Sequence, residues 1–155
     1  MLKHAIIIQA RMSSSRLPGK SLKLIGDKPL IFYVIERLRL LGLPIIIATS
    51  TNSSDDILVE YLNCLENIFI YRGSLDNVLN RYIAAAEAFG IEKIVRVTAD
   101  NPLVDIAALK RSLISFREYE YVDGIYQDGL IKGTGFELVS LNELKSIRSN
   151  KPHHL

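Results

Sequence analysis

Three cations, Arg11, Arg16 and Lys20, fall within ten residues directly after the apolar run Ile6-Ile7-Ile8. A loop at the carboxyl end of a first strand is where open α/β sheets bind their ligands. Guanidinium forks at Arg11 and Arg16 can grip phosphate oxygens in pairs, and Lys20 adds a point charge, so this loop is equipped to hold a polyphosphate. Ser13, Ser14 and Ser15 supply either hydroxyl donors or flexible polar filler. A lone arginine in a loop is ordinarily solvated surface; three cations behind one apolar strand argue for phosphate contact.

Two common phosphate loops are excluded. The dinucleotide pattern G-x-G-x-x-G cannot be written through a segment whose one glycine, between Gln9 and Lys20, is Gly19. Gly19-Lys20-Ser21 matches the end of a P-loop, but the glycine required five positions before Gly19 is replaced by Ser14. What remains is a loop that relies on cationic side chains, with Pro18-Gly19 turning the chain.

A triphosphate is accompanied by a metal, and Asp100 is the first candidate to hold one. It follows the apolar strand Ile94 to Val97 and precedes Asn101-Pro102, so its carboxylate projects from the same sheet edge as the cationic loop. Mg²⁺ favours a few carboxylate oxygens with phosphate and water completing its octahedron. The plainer reading is a turn-initiating Asp before Pro. A second carboxylate comes from Asp105, Asp123, Asp128 or Glu137. Asp105 reads as the cap of the following helix, and Asp123 and Asp128 as turn residues. Arg72, at the end of a third strand, contacts nucleotide or pairs with Asp76; both readings stay open.

Gln9 to Lys20 fits Q-A-R-x-x-S-x-R-L-P-G-K, and in this it resembles the cytidylyltransferase family that makes CMP-activated sugars, most of all its spore-coat polysaccharide biosynthesis branch. Arg72 to Tyr82 and Arg96 to Asp105 are similar to later family segments. The resemblance implies a Rossmann-like three-layer α/β/α fold of the nucleotide-diphospho-sugar transferase type, with a mostly parallel sheet. It implies transfer of CMP from CTP to a small sugar, an acidic one being typical, with release of pyrophosphate. Arg11, Arg16 and Lys20 then offset charge in catalysis, and Gln9, Ala10, Arg11, Ser13, Ser14, Arg16, Lys20 and Arg72 bind nucleotide, base choice resting on backbone around Gln9 and Ala10. Asp100, with Glu137 in Gly133 to Val139 as first choice for the second acid, holds Mg²⁺. Family members of this type continue past the position of Leu155, so an absent C-terminal segment of sugar pocket or dimer contact is part of the expectation, and a homodimer is left open. A glycosyltransferase of the same nucleotide-sugar class would need a D-x-D motif after a strand, and the sequence has none. A nucleotide-binding protein without catalysis is the third alternative.

Composition sets the frame. The 155 residues suit one domain with a real core, and 48% hydrophobic with 23% charged is ordinary for a globular chain. A net charge of +2, dense only in the first loop, argues for a small anionic ligand over nucleic acid. No apolar run approaches the roughly 18 residues of a membrane span, and the N-terminus leads into a strand, so the expectation is a cytoplasmic protein with no membrane partner. Cys64, the one cysteine, reads as a small core residue beside Leu62 and Leu65.

To hold these groups at one edge, strands and helices must alternate. Strands are predicted at Ala5–Gln9, Ile45–Thr49, Asn67–Tyr71 and Lys93–Thr98, with helices at Lys28–Leu41, Asp55–Leu65, from Ser74 through Phe89, and at Ile106–Glu118. Short strands at Glu120–Tyr126 and Gly135–Ser140 follow, and Ser140-Leu141-Asn142-Glu143 is a capping box opening a last helix.

Overall fold

A computed structural model of the chain describes residues 4–14, 16–116, 119–123 and 133–150. Ser15, Asp128 and the C-terminal histidines lie outside them, as do the expected extensions of the strand past Asp123 and of the helix into residues 117 and 118. The elements run β1 (His4–Gln9), β2 (Leu24–Ile25), β3 (Lys28–Pro29), α1 (Leu30–Arg39), β4 (Ile45–Ser50), α2 (Asp56–Asn63), β5 (Ile68–Gly73), α3 (Val78–Ala88), β6 (Lys93–Thr98), α4 (Ile106–Ser115), β7 (Tyr121–Asp123), β8 (Glu137–Ser140) and α5 (Leu141–Asn150).

Continuous β-branched runs give strands buried on both faces, and β1 shows the result: Ala5 through Ile8 are fully buried. Side chains alternate across it. Ile6 and Ile8 join a core with Ile31 and Ile35 of α1, Leu58 and Leu62 of α2 and Leu109 of α4, while Ala5 and Ile7 pack against Tyr82 and Ala86 of α3 and Leu144 of α5. Each fully buried isoleucine contributes about 1.5–3 kcal/mol. Three layers result, as the resemblance implied.

The six-stranded sheet has the order β5-β4-β1-β6-β8-β7. β5, β4, β1 and β6 are mutually parallel, and β8 runs antiparallel to both β6 and β7. The chain steps outward from β1 through β4 to β5 and then crosses back to lay β6 on the other side of β1. That reversal leaves a crevice at the carboxyl ends of β1 and β6, where Gln9 pairs in register with Thr98.

Local chemistry moves some boundaries. α1 starts at Leu30 because Lys28–Pro29 is drawn into an antiparallel pair with Leu24–Ile25 around Gly26, whose φ of 65° suits the turn. α3 starts at Val78, not after Ser74: Asn77 caps it by accepting from the Asn80 amide at 2.9 Å, and the Ser74 hydroxyl holds the Asn77 amide at 3.1 Å. Asp105 caps α4 as expected, accepting from the Ala108 amide at 2.8 Å, and Ser140 accepts from the Glu143 amide at 3.0 Å at the start of α5. Cys64 is exposed, contrary to the core reading, since it ends α2 on the turn that sends Leu62 inward.

Candidate active site

The cationic loop is fastened to the sheet by a buried acid. Asp55 is fully buried, closing a short 3-10 segment, Ser53–Asp55, that follows β4; its carboxylate accepts from the Met12 amide at 2.7 Å, the Thr49 hydroxyl at 3.0 Å, and the Ser50 amide and hydroxyl at 3.0 and 2.5 Å. Burial pushes its carboxyl up, yet the four donors more than compensate and hold it below its usual 3.8. The Met12 carbonyl in turn accepts from the Ser14 and Gly19 amides, both at 2.9 Å, which closes the loop on itself. Gly19, at φ 70°, makes the turn that sends Lys20 into a short 3-10 segment over residues 20–22.

Across the crevice Lys20 donates to the Asp100 carboxylate in an ion pair that joins the first loop to the end of β6. Burial raises the Asp100 carboxyl, but the Lys20 and Thr98 hydrogen bonds outweigh it and keep it below its usual value. Arg11 is half-buried and Arg16 exposed, and among the described residues neither side chain has a hydrogen-bond or ion-pair partner. The loop thus carries two cations without partners among the described residues and a third that is paired with the acid after β6.

A second hollow lies over β6 and β8. Arg96 on β6 pairs with Glu137 on β8, adjacent in register, and lies 5.4 Å from the Tyr82 ring centre. That pair lines a cleft of about 920 Å³ between α3 and α5, reached by Asp76, Asn77 and Ile147. A smaller hollow of about 220 Å³ shares Arg96 and Glu137 and extends to Thr98 and Asn101.

The sequence profile of the cytidylyltransferase family matches residues 5–153. The chain belongs to that family. The spore coat polysaccharide biosynthesis protein SpsF of Bacillus subtilis is 41% identical over 106 residues, 64% of this cytidylyltransferase chain and 43% of that protein. The 3-deoxy-manno-octulosonate cytidylyltransferase 2 of Hydrogenovibrio crunogenus is 29% identical over 97% of this chain and 60% of its own length. The chain thus spans about half the length of these curated relatives. A solved cytidylyltransferase from Leptospira borgpetersenii superposes with a TM-score of 0.86 at 31% identity, covering 98% of this chain and 66% of that one. A CMP:2-keto-3-deoxy-manno-octonic acid synthetase solved with CTP shares the fold, with a TM-score of 0.73 at 17% identity over 98% of this chain and 80% of its own.

Within this cytidylyltransferase fold the expected residues divide. Gln9 ends β1, Ala10, Arg11, Ser13 and Arg16 lie on the segment that follows it, and Lys20 reaches Asp100 beyond β6. The Ala10 amide is engaged by the Ala48 carbonyl at 3.3 Å and the Gln9 carbonyl by the Ala99 amide at 3.1 Å, because pairing continues past the end of β1. Ser14 turns its hydroxyl to the Leu17 amide at 3.3 Å, a turn role. Arg72 pairs with Asp56, not Asp76: its guanidinium donates to the Ser50 carbonyl at 2.8 Å, the Asn52 carbonyl at 3.0 Å and the Asp56 carboxylate at 2.6 Å. Glu137 stands with Arg96 in the wide cleft, and among the described residues no three His, Cys, Asp or Glu side chains gather as a metal cluster.

Two residues escaped the sequence reading. Asp55 had been placed in the first turn of a helix; the signal for its inward role is the hydroxyl-rich run from Thr49 to Ser54 at the end of an apolar strand. Arg81 lies within the Arg72 to Tyr82 segment that resembles the family, but no role is read for it there, and it is 1% exposed.

Proposed function

We propose that this cytidylyltransferase transfers CMP from CTP to a small sugar, an acidic one by preference, releasing pyrophosphate for surface polysaccharide synthesis. The observation that carries the reading is the Lys20 to Asp100 pair, which sets a cation from the first loop against an ionised acid in the crevice, with Arg11 and Arg16 on the same loop and without partners among the described residues. The sugar occupies the 920 Å³ cleft, where Arg96 is the one cation among the described lining residues and meets a sugar carboxylate.

The chemistry needs positioning and charge, not a covalent enzyme intermediate. A sugar hydroxyl attacks the α-phosphorus and the bond to pyrophosphate breaks. Arg11, Arg16 and Lys20 offset the negative charge that develops, Lys20 turning from Asp100 to phosphate. Arg72 holds the ends of β4 and β5 together at the nucleoside side.

The residues fit Mg²⁺ held mainly by substrate oxygens: Asp100 is ionised and 41% exposed, and its present partner sits on a flexible stem. Asp100 with the phosphates would hold the ion, Glu137 joining where Arg96 releases it. Bound there, Mg²⁺ supplies Lewis-acid stabilisation of phosphate charge. A cytoplasmic location and a homodimer fit this role.

The test is pyrophosphate release from each of the four nucleoside triphosphates with Mg²⁺ and a panel of acidic and neutral sugars. Release with CTP and an acidic sugar is expected. Binding of CTP without release under any sugar would reduce the chain to a binding protein.

A further inference from the structure

A guanidinium is costly to bury, and Arg81 is buried to 1% exposure with no carboxylate on it. Its Nη1 donates to the Ser74 carbonyl and, at 3.2 Å, to the Leu75 carbonyl. Nε and Nη2 have no partner among the described residues. Arginine is almost never fully buried unless paired, so one whole edge of the fork, Nε with Nη2, is aligned and unused.

Its place in the fold is specific. Arg81 lies in the first turn of α3, behind the carboxyl end of β5, where its stem approaches to 3.4 Å of the Cβ position at Gly73. The Gly73 carbonyl accepts from the Thr51 amide at 2.9 Å, which ties this end to β4, where Asp55 fastens the cationic loop through Met12. Burial depresses the Arg81 guanidinium, Arg11 repels it, and Tyr82 and Asp55 offset part of this. A cation so placed bears a desolvation cost that its two carbonyl contacts offset only in part.

We propose that the Nε and Nη2 edge of Arg81 is a nucleotide contact, donating to an oxygen of the bound triphosphate or of its nucleoside. This rests on the nucleotidyltransferase reading above. Because Arg81 is 1% exposed, the contact requires the chain around it to move as the ligand binds. An unpaired buried cation kept at a cost to stability is the pattern expected of a functional group, whereas a structural arginine would satisfy its own donors.

The test compares wild type with Arg81→Met and Arg81→Lys by calorimetry, using inorganic tripolyphosphate and CTP as separate probes, with thermal unfolding of the empty proteins in parallel. Arg81→Met is expected to melt no lower than wild type and to lose at least tenfold in affinity. Loss with both probes assigns a phosphate oxygen; loss with CTP alone assigns a nucleoside oxygen. Unchanged affinity for both overturns the proposal. If Arg81→Met does not fold, wild-type protein labelled with ¹⁵N at arginine Nε decides: the Arg81 Nε–H resonance, assigned by its loss in Arg81→Lys, must move on saturation, and a resonance that stays in place overturns the contact. Wild type that binds tripolyphosphate but no nucleotide sinks the functional reading while still scoring Arg81. Wild type that binds neither ends both.

Discussion

Lys20 and Asp100, separated by 80 positions in the sequence, meet in an ion pair that spans the crevice between the first loop and the end of β6. Each compensates the charge of the other. Under the proposed function, phosphate would take the place of Asp100 at Lys20 and a cation the place of Lys20 at Asp100, so the pair is the contact that the variants below probe.

Arg16 is exposed and without a partner among the described residues, so Arg16→Ala leaves the core untouched. Its loss removes one charge-assisted phosphate contact, a cost of about 1.5–3 kcal/mol in CTP affinity. Isothermal titration calorimetry checks this, with the melting temperature expected within a degree or two of wild type. Equal affinity would remove Arg16 from the phosphate site.

Asp100→Asn keeps the turn before Pro102 and removes the charge. Because the acid is 41% exposed, its pair with Lys20 contributes little to stability once solvent screening is counted, and thermal unfolding should barely change. Turnover should fall and require more Mg²⁺ at fixed CTP. Wild-type metal dependence in the variant would assign Asp100 to the turn alone.

Asp55→Ala strands four buried donors and is expected to cost about 2–5 kcal/mol of stability. The acid also shapes the pH profile. Its carboxyl lies below the usual 3.8 in the folded chain, so its stabilisation is complete above 3.8 and is lost as pH falls through the lower folded value. Asp55→Asn therefore flattens the acid limb of the unfolding curve, and urea melts from pH 2 to 7 read it directly. An unchanged acid limb would show that the carboxylate is not held down as described.

Arg72→Ala removes three hydrogen bonds that close the β4 and β5 ends. About 1–3 kcal/mol of stability is expected to go, since one of the three is charge-paired and the site is half-exposed. Denaturant unfolding measures it, and a loss of CTP affinity larger than the loss of stability would give Arg72 a direct ligand role.

The layers of this fold were legible because the strands carry the information twice, in their β-branched runs and in the turn and cap residues between them. Asp105 and Ser140 announce their helices by position alone. What the sequence withheld are the residues whose role depends on direction. Asp55 and Asp56 are adjacent acids at one helix start, yet Asp55 turns in to the cationic loop and Asp56 out to Arg72, a choice made by tertiary contacts. Ser74 looked like a cap and instead holds the residue that caps. The cationic loop and Asp100 were readable as one edge because each follows a strand; Arg81 was not, because a helix period shows which residues are inward and says nothing of whether an inward cation is satisfied.

The strand order also ties two requirements of the sheet to one element. β1, β4 and β5 come in chain order and lie side by side, so they can pair before β6 has been made, and the anchoring of the cationic loop on Asp55 needs none of the later strands. β6 inserts beside β1 later, on the opposite side from the strands already in place, and only then does Lys20 acquire its acid. The one strand that covers the inner edge of β1 is therefore also the one that delivers the acid to Lys20, so edge closure and charge balance depend on the same segment of chain.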